Sequence, residues 1–245
     1  MKKHWKKIVA GAIVAILLAV TAGPWVYIHW IKADAPKRLS IDDVPTGTGT
    51  GTQNTTGTGT DNTGTANTGP ALSPNAWTVA AGSQVGYRVV EVLFGQHTEG
   101  VGRTNKVTGS LTLDGAIVSA ASFTVDMTSL TSDDARRDRK FTGQIMNTAT
   151  IPKATFTLTK PIDLGTGPAD AQAITATASG DLLLHGVTQP ATFGLTAKRT
   201  GNKIAVSGSI DVKFADYDIT NPSGGPVTTE DHGLIEFALA FSKAG

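Results

Sequence analysis

From residue 77 to residue 241, apolar and polar side chains alternate in long runs. Ile204, Val206, Gly208, Ile210, Val212 and Phe214 fall on one face of an extended segment, and Lys203, Ala205, Ser207, Ser209, Asp211 and Lys213 fall on the other. Ile235, Phe237, Leu239 and Phe241 repeat the pattern, as do Phe123, Val125 and Met127. A period of two with one apolar face predicts a sheet that is dry on one side and wet on the other. Strands are expected at about 77–80, 83–93, 107–114, 116–128, 154–160, 173–185, 191–199, 203–214 and 234–243. Turn chemistry separates them at Asp114-Gly115, at Gly201-Asn202, and over the stretch from His185-Gly186 to Pro190. Residues 131–146 break the alternation. Thr131 with Asp134 three residues on has the form of a capping box, and Phe141 and Ile145 stand i, i+4. A short helix is expected there, with Phe141 and Ile145 laid on the sheet.

Strands of this length, almost all antiparallel, form a sandwich or close into a barrel. About eight of them enclose an interior that holds either side chains or one small ligand. The inward positions are Val85, Tyr87, Val89, Leu111, Leu113, Phe123, Val125, Phe156, Leu158, Leu182, Leu184, Ile210, Val212, Phe237 and Leu239, joined by Phe193, Leu195 and Phe214. Ala176, Ala178, Gly180 and Gly208 share that face. These small residues either leave a groove or only accommodate coiling and bulges in a filled interior. The alternation by itself leaves both readings open.

The chain divides into three parts: 1–31, 32–73 and 74–245. In the first, Lys2, Lys3, Lys6 and Lys7 precede an apolar run at 8–31 that is long enough to span a bilayer. Trp5 stands at one end of it, and Trp25, Tyr27 and Trp30 at the other, as interfacial aromatic belts do. A single-pass membrane helix is expected, with everything after Asp34 outside the cytoplasm. The competing reading is a signal peptide cleaved near Ala22, after the small residues of Val20-Thr21-Ala22. The second part, most of it Thr, Gly and Asn between 46 and 69, has no apolar periodicity and reads as a disordered linker. The third can bury about 70 % of its unfolded surface, enough to fold without a disulfide or metal.

The remaining composition mainly excludes. There is no cysteine, hence no disulfide, thiolate metal site, thiol nucleophile or lipidated-cysteine anchor. A formal charge of +1 indicates no nucleic-acid partner. No nucleophile-elbow, zinc-protease, P-loop or dinucleotide motif is present, and His97, His185 and His232 lie in distant turns without metal-ligand spacing. No catalytic residue, cofactor or metal is therefore expected. His185 reads as a turn residue whose ring bonds backbone groups. The basic run 136–140 has two readings. Arg137 and Asp138 may be expected to lock the helix to the sheet, or Arg136 and Arg139, with Arg103, form a cationic rim that meets a phosphate head group.

The order of motifs resembles a known family. Trp77-Thr78-Val79 with Ser83, Val85, Tyr87 and Val89 comes first, then Gly102-Arg103-Thr104 and Val107-Thr108-Gly109. Asp126-Met127-Thr128-Ser129-Leu130, Arg137-Asp138, Ile151-Pro152 and Phe156 follow, and then Gly180-Asp181-Leu182 with His185-Gly186-Val187-Thr188. This ordered set, over about residues 76–243, resembles the YceI-like family of exported lipid-binding proteins. The resemblance implies an all-β, lipocalin-like antiparallel β-barrel with one short helical insertion, here preceded by a transmembrane helix and a disordered linker. It also implies a long isoprenoid lipid or similar chain held in the interior, and no catalytic residue, cofactor or metal. Two departures bear on the barrel end: Asp218 stands where the family usually has Gly, and residues 221–225 lengthen the loop before the last strand.

The resulting expectation is an extracytoplasmic, membrane-tethered carrier for a long apolar ligand such as an isoprenoid or quinone. The alternative is an exported structural or interaction domain with a filled barrel and no ligand. If the segment at 8–31 is retained, alkaline carbonate washing of membranes leaves the protein in the pellet; a soluble form beginning at Gly23 would show cleavage instead.

Overall fold

The computed structural model describes residues 35–45, 75–93, 95–165, 170–225 and 227–243. The apolar run at 8–31 and the Thr/Gly-rich stretch at 46–69 lie outside the described residues. Among those described, no helix is long and apolar enough to cross a membrane.

Thirteen strands form one sheet. They are β1 (Ala76–Val79), β2 (Gln84–Leu93), β3 (Gln96–Thr104), β4 (Val107–Asp114), β5 (Ile117–Asp126), β6 (Thr131–Ser132), β7 (Lys153–Leu158), β8 (Ile162–Asp163), β9 (Ala173–Leu184), β10 (Val187–Thr200), β11 (Lys203–Lys213), β12 (Val227–Thr229) and β13 (His232–Lys243). Every pairing is antiparallel, in the order β1-β4-β5-β7-β9-β10-β11-β13, and β13 pairs back with β1 to close an eight-stranded barrel. β2 and β3 extend β1 and β4 beyond the point of closure, and β2 continues along the same edge of β13. Where β1 gives way to β2, Ser83 carries the ladder across the break. Its hydroxyl accepts the Ala240 N–H at 2.9 Å and donates to the Ala80 carbonyl at 2.8 Å.

The strands differ from those expected in several places, short β6, β8 and β12 being additions. β10 starts at Val187, not residue 191, because His185 and Gly186 both take positive φ (51° and 81°) and close a two-residue hairpin. Pro190 therefore lies inside the strand, in register with Asp181. The His185 ring does bond a backbone group: Nδ1 lies 3.0 Å from the Tyr217 carbonyl oxygen. The alternation missed β3 altogether, since its inward positions include Gly100 and Gly102. Both are filled by neighbours, the Glu91 and Arg137 side chains over Gly100 and the Tyr87 ring over Gly102. Asp218 keeps the left-handed backbone conformation (φ 52°) that a glycine would favour, so its turn is not reshaped.

The helical interruption is present, but its cap is not the one expected. Thr131 lies in β6, paired with Arg103. Asp134 caps α1 (Ala135–Lys140) by accepting the Arg136 N–H at 2.8 Å, and a π-helical turn, Phe141–Ile145, follows. Arg137 and Asp138 both fasten the helix, though not to each other. Arg137 pairs with Asp133 and lies 3.7 Å from Glu91 of β2. Asp138 accepts the Ser132 N–H and hydroxyl at 2.8 and 2.6 Å.

Residues 35–45 are not a free linker; they cross the outer wall of the barrel as a strap. Leu39 and Val44 bury against Ala205, Ala238 and Ala240. The face that holds Ala205 was read as wet, yet Ala205 is 0 % exposed. Beneath the strap, Arg88 donates to Glu236 through Nε (2.7 Å) and Nη2 (3.3 Å), to Glu99 through Nη1, and to the Pro36 carbonyl at 2.7 Å. Arg88 and Glu236 are each 3 % exposed, so the pair is desolvated and fully engaged.

Removing Glu236 takes away the buried carboxylate partner of Arg88 and leaves its Nε without that acceptor in the dry layer, while Glu99 and the Pro36 carbonyl stay in place. Glu236→Ala is expected to lower stability by about 3–5 kcal/mol in chemical denaturation. Arg137→Ala, which leaves Glu91 without its helix partner, is expected to cost about 3 kcal/mol. Arg136→Ala, at an exposed pair with Asp134, is expected to cost under about 1 kcal/mol.

Candidate functional site

The closed sheet surrounds a cavity of about 1060 Å³. It extends from α1, Pro222 and Gly224 at one end (the helix end) to Leu164, Lys198 and Arg199 at the other (the hairpin end). Each position that the alternation assigned as a ligand contact lines it, from Val85, Tyr87 and Val89 on β2 to Phe237 and Leu239 on β13. The filled-barrel alternative does not describe this interior. The expected source of the space was only partly right, however. Gly208 and Gly180 leave no groove, because the Phe237 and Phe156 rings occupy the places where their β-carbons would stand. Ala178 lines the cavity, and Ala176 packs against the core.

Large residues opposite glycines shape the wall. Tyr87 is in register with Gly102, Phe123 with Gly109 and Phe237 with Gly208. Each ring lies over a neighbouring backbone instead of projecting straight across, which fits the alternation of large and small residues in small barrels. Phe156, Phe193 and Phe237 then meet edge to face, with centroids 5.1 and 5.7 Å apart. Phe123 and Phe241 form a tilted pair at 5.5 Å. The helix end is roofed by Phe141, Ile145 and Met146, and Phe141 stacks on Tyr87 at 4.7 Å and 11°. The sequence spacing had placed Phe141 and Ile145 there.

Most of the charged lining lies at the helix end, with Lys198 and Arg199 at the other. Glu91, Asp133, Asp134, Arg136, Arg137 and Lys140 all border the cavity, and their formal charges cancel. Lys140 donates to the Pro222 carbonyl, which draws the 221–225 loop onto the helix. Asn221 holds that loop from the other side, donating to the Glu230 carbonyl at 2.9 Å. Burial pushes the Tyr87 phenol above its ordinary range; Arg137 opposes the shift, and Asp138, Glu91 and Asp133 add to it. The phenol therefore stays protonated at neutral pH and can donate a hydrogen bond. The Thr98 hydroxyl, on the strand next to Glu91, is buried without a hydrogen-bond partner among the described residues.

The three arginines proposed as head-group contacts are dispersed. Arg136 borders the cavity and pairs with Asp134 at 3.1 Å. Arg139 is exposed and not part of the lining. Arg103 lies on the outer wall, donating to the Lys37 carbonyl beneath the strap. Strand parity explains this, since residue 103 faces away from the inward set 98, 100, 102 and 104. Glu91 and Thr98 went unnoticed because a polar residue on an apolar face reads as an interruption, and Arg137 was expected as a link between helix and sheet, not as cavity lining. Glu91 was detectable in principle, as the inward parity of Val85, Tyr87 and Val89 runs directly into it. Among the described residues, no group of three His, Cys, Asp or Glu side chains could hold a metal ion.

Comparison with known proteins fits this geometry. A UPF0312 protein of Vibrio parahaemolyticus is 33 % identical over 127 residues, which is 48 % of this chain and 64 % of that protein. One from Vibrio campbellii is 32 % identical over the same length, so the chain spans about 64 % of these relatives. A polyisoprenoid binding domain from Saccharophagus degradans superimposes with a TM-score of 0.56 at 19 % identity, covering 70 % of this chain and 100 % of that one. BcnA of Burkholderia cenocepacia gives 0.52 at 22 % identity, covering 66 % and 98 %. At such identities the superpositions show a shared fold. A family model described as a YceI-like domain matches residues 77–241, and by that match the chain belongs to the YceI-like family.

Proposed function

We propose that the barrel binds a long-chain apolar molecule, an isoprenoid lipid or quinone, along its interior, and that it works as a carrier held at the outer side of a membrane. One observation carries this reading: a continuous, predominantly apolar cavity of about 1060 Å³ runs between the two ends of the barrel. Each methylene moved from water into such a lining contributes roughly 0.8 kcal/mol, so a chain of about a dozen carbons gains on the order of 10 kcal/mol before ordering costs. The bilayer offers the same molecule an equally apolar phase. Exchange between barrel and membrane is then close to neutral, which suits a carrier better than a sink. The polyisoprenoid binding domain that shares the fold supports the choice of ligand class, and the apolar run at 8–31 supports the tether. No chemical step enters this reading.

The mutual pairing of Arg136 with Asp134 and of Arg137 with Asp133 and Glu91 also bears on the head group. These charges are matched within the protein, so the helix end does not present the unopposed cationic rim that a phosphate would need.

Protein purified without detergent is expected to carry an apolar molecule that solvent extraction and mass spectrometry detect. Ala121→Trp adds an indole to a half-buried lining position. It is expected to reduce the bound molecule several-fold while leaving the far-ultraviolet circular dichroism unchanged. An empty wild-type barrel, or full occupancy in the variant, would contradict the proposal.

A further inference from the structure

We infer that the strap at residues 35–45 sets the barrel directly on the lipid bilayer, with its helix end toward the membrane. This rests on the anchored reading of residues 8–31. It assigns the Thr/Gly-rich stretch a different place from the tether expected of it, that of a side loop with both ends on the barrel wall.

The direction of the strap carries the argument. The Pro36 carbonyl is held by Arg88, the Lys37 carbonyl by Arg103, and Arg38 lies 4.0 Å from Glu236. Farther along, Leu39 and Val44 bury on Ala205, Ala238 and Ala240, and the Pro45 ring covers Gly82. Arg88 is in register with Leu234, Glu236 with Gly86 and Ala238 with Gln84, so these contacts descend the wall. The strap therefore runs antiparallel to β2. Its N-terminal end points the same way as Leu93 and Gln96, toward the helix end of the cavity.

Chain length then fixes the distance. The apolar run ends at Ile31, and Ala35 is four residues later. An extended chain covers at most about 14 Å over that interval. From Arg88 to Leu93 the strand rises roughly 13 Å along the barrel axis, at ~3.3 Å per residue and a tilt of ~40°. The helix end is within reach of the membrane surface. From Arg88 down to Ala76 the register on β13 spans about ten residues, a rise of roughly 25 Å by the same measure and more than the chain can bridge. The hairpin end therefore cannot rest on the bilayer while the strap is seated.

The same contacts relocate residues 46–74. They leave from Pro45, fastened over Gly82, and return at Asn75, whose side chain donates to Asp114 at 2.8 Å. The two attachment points flank β1, Asn75 just before it and Gly82 in the turn that follows it. Changing the length of this stretch leaves the separation between barrel and bilayer unaltered, whereas an insertion before Ala35 increases it.

The chain has no native cysteine, so single labelling sites can be introduced cleanly. Gln96→Cys, exposed at the helix end, and Asn202→Cys, exposed at the hairpin end, would each carry a fluorophore in the full-length protein. The protein would be reconstituted in liposomes containing headgroup nitroxide lipids. The label at 96 is expected to be quenched several-fold more than the label at 202. Inserting about 20 Gly/Ser residues between Ala33 and Asp34 should abolish the difference, and the same insertion within 46–69 should preserve it. Equal quenching at the two sites, stronger quenching at 202, or loss of the difference on insertion within 46–69 overturns the inference while leaving the anchor intact. A mature protein that begins at Gly23 or later, or one released by carbonate washing, overturns the anchored reading and the inference with it.

Discussion

Backbone pairing along both edges of β13 is the constraint on which the rest depends. One edge runs the length of β11, and the other is shared by β1 and β2. With both edges occupied, the sheet has no open side where its apolar face could slide against another layer, and that face must enclose a volume. A sandwich built from the same alternation would have pressed two faces together and filled itself. An enclosed interior thus follows from closure, and the lining residues decide whether it is filled or open.

Once the ring is closed, the arrangement of aromatic rings decides how much of the volume stays open. Rings laid over Gly102, Gly109, Gly180 and Gly208 thicken the wall locally and keep out of the centre. The outside of the barrel is organised on a different principle. There the small residues Ala205, Ala238 and Ala240 accept the strap, and Arg88 and Arg103 tie the Pro36 and Lys37 carbonyls down. Glycine facing in and alanine facing out serve opposite purposes in the same sheet: the first makes room for side chains of the wall, the second for a separate segment of chain.

Much of this was legible in the sequence. Period-two alternation located most of the long strands and gave the correct inward parity for Val85 through Leu239, because one solvated and one dry face leave a direct imprint on residue choice. β3 left no such imprint, since its inward positions are small or polar and filled from neighbouring elements. The strap left one only in retrospect. Three alanines on an otherwise polar face mark a covered patch, but that pattern does not say which of the distant residues covers it. Glu91 was equally out of reach, as it meets Arg137 only through tertiary contact, whereas Asp133 and Ser132 are near neighbours in sequence of the Arg137 and Asp138 they bind. Parity alone would have removed Arg103 from the cavity, had the unrecognised strand been counted.

Closure also joins the two extremes of the folded domain, since Val79 pairs with Phe241. The ring cannot be completed until β13 has left the ribosome, and every earlier intermediate carries an unpaired edge beside exposed apolar surface. Contacts this distant in sequence are formed late and slowly. A chain of this topology remains extended and open to holding factors throughout its synthesis, and its folding clock starts only when the last strand is free.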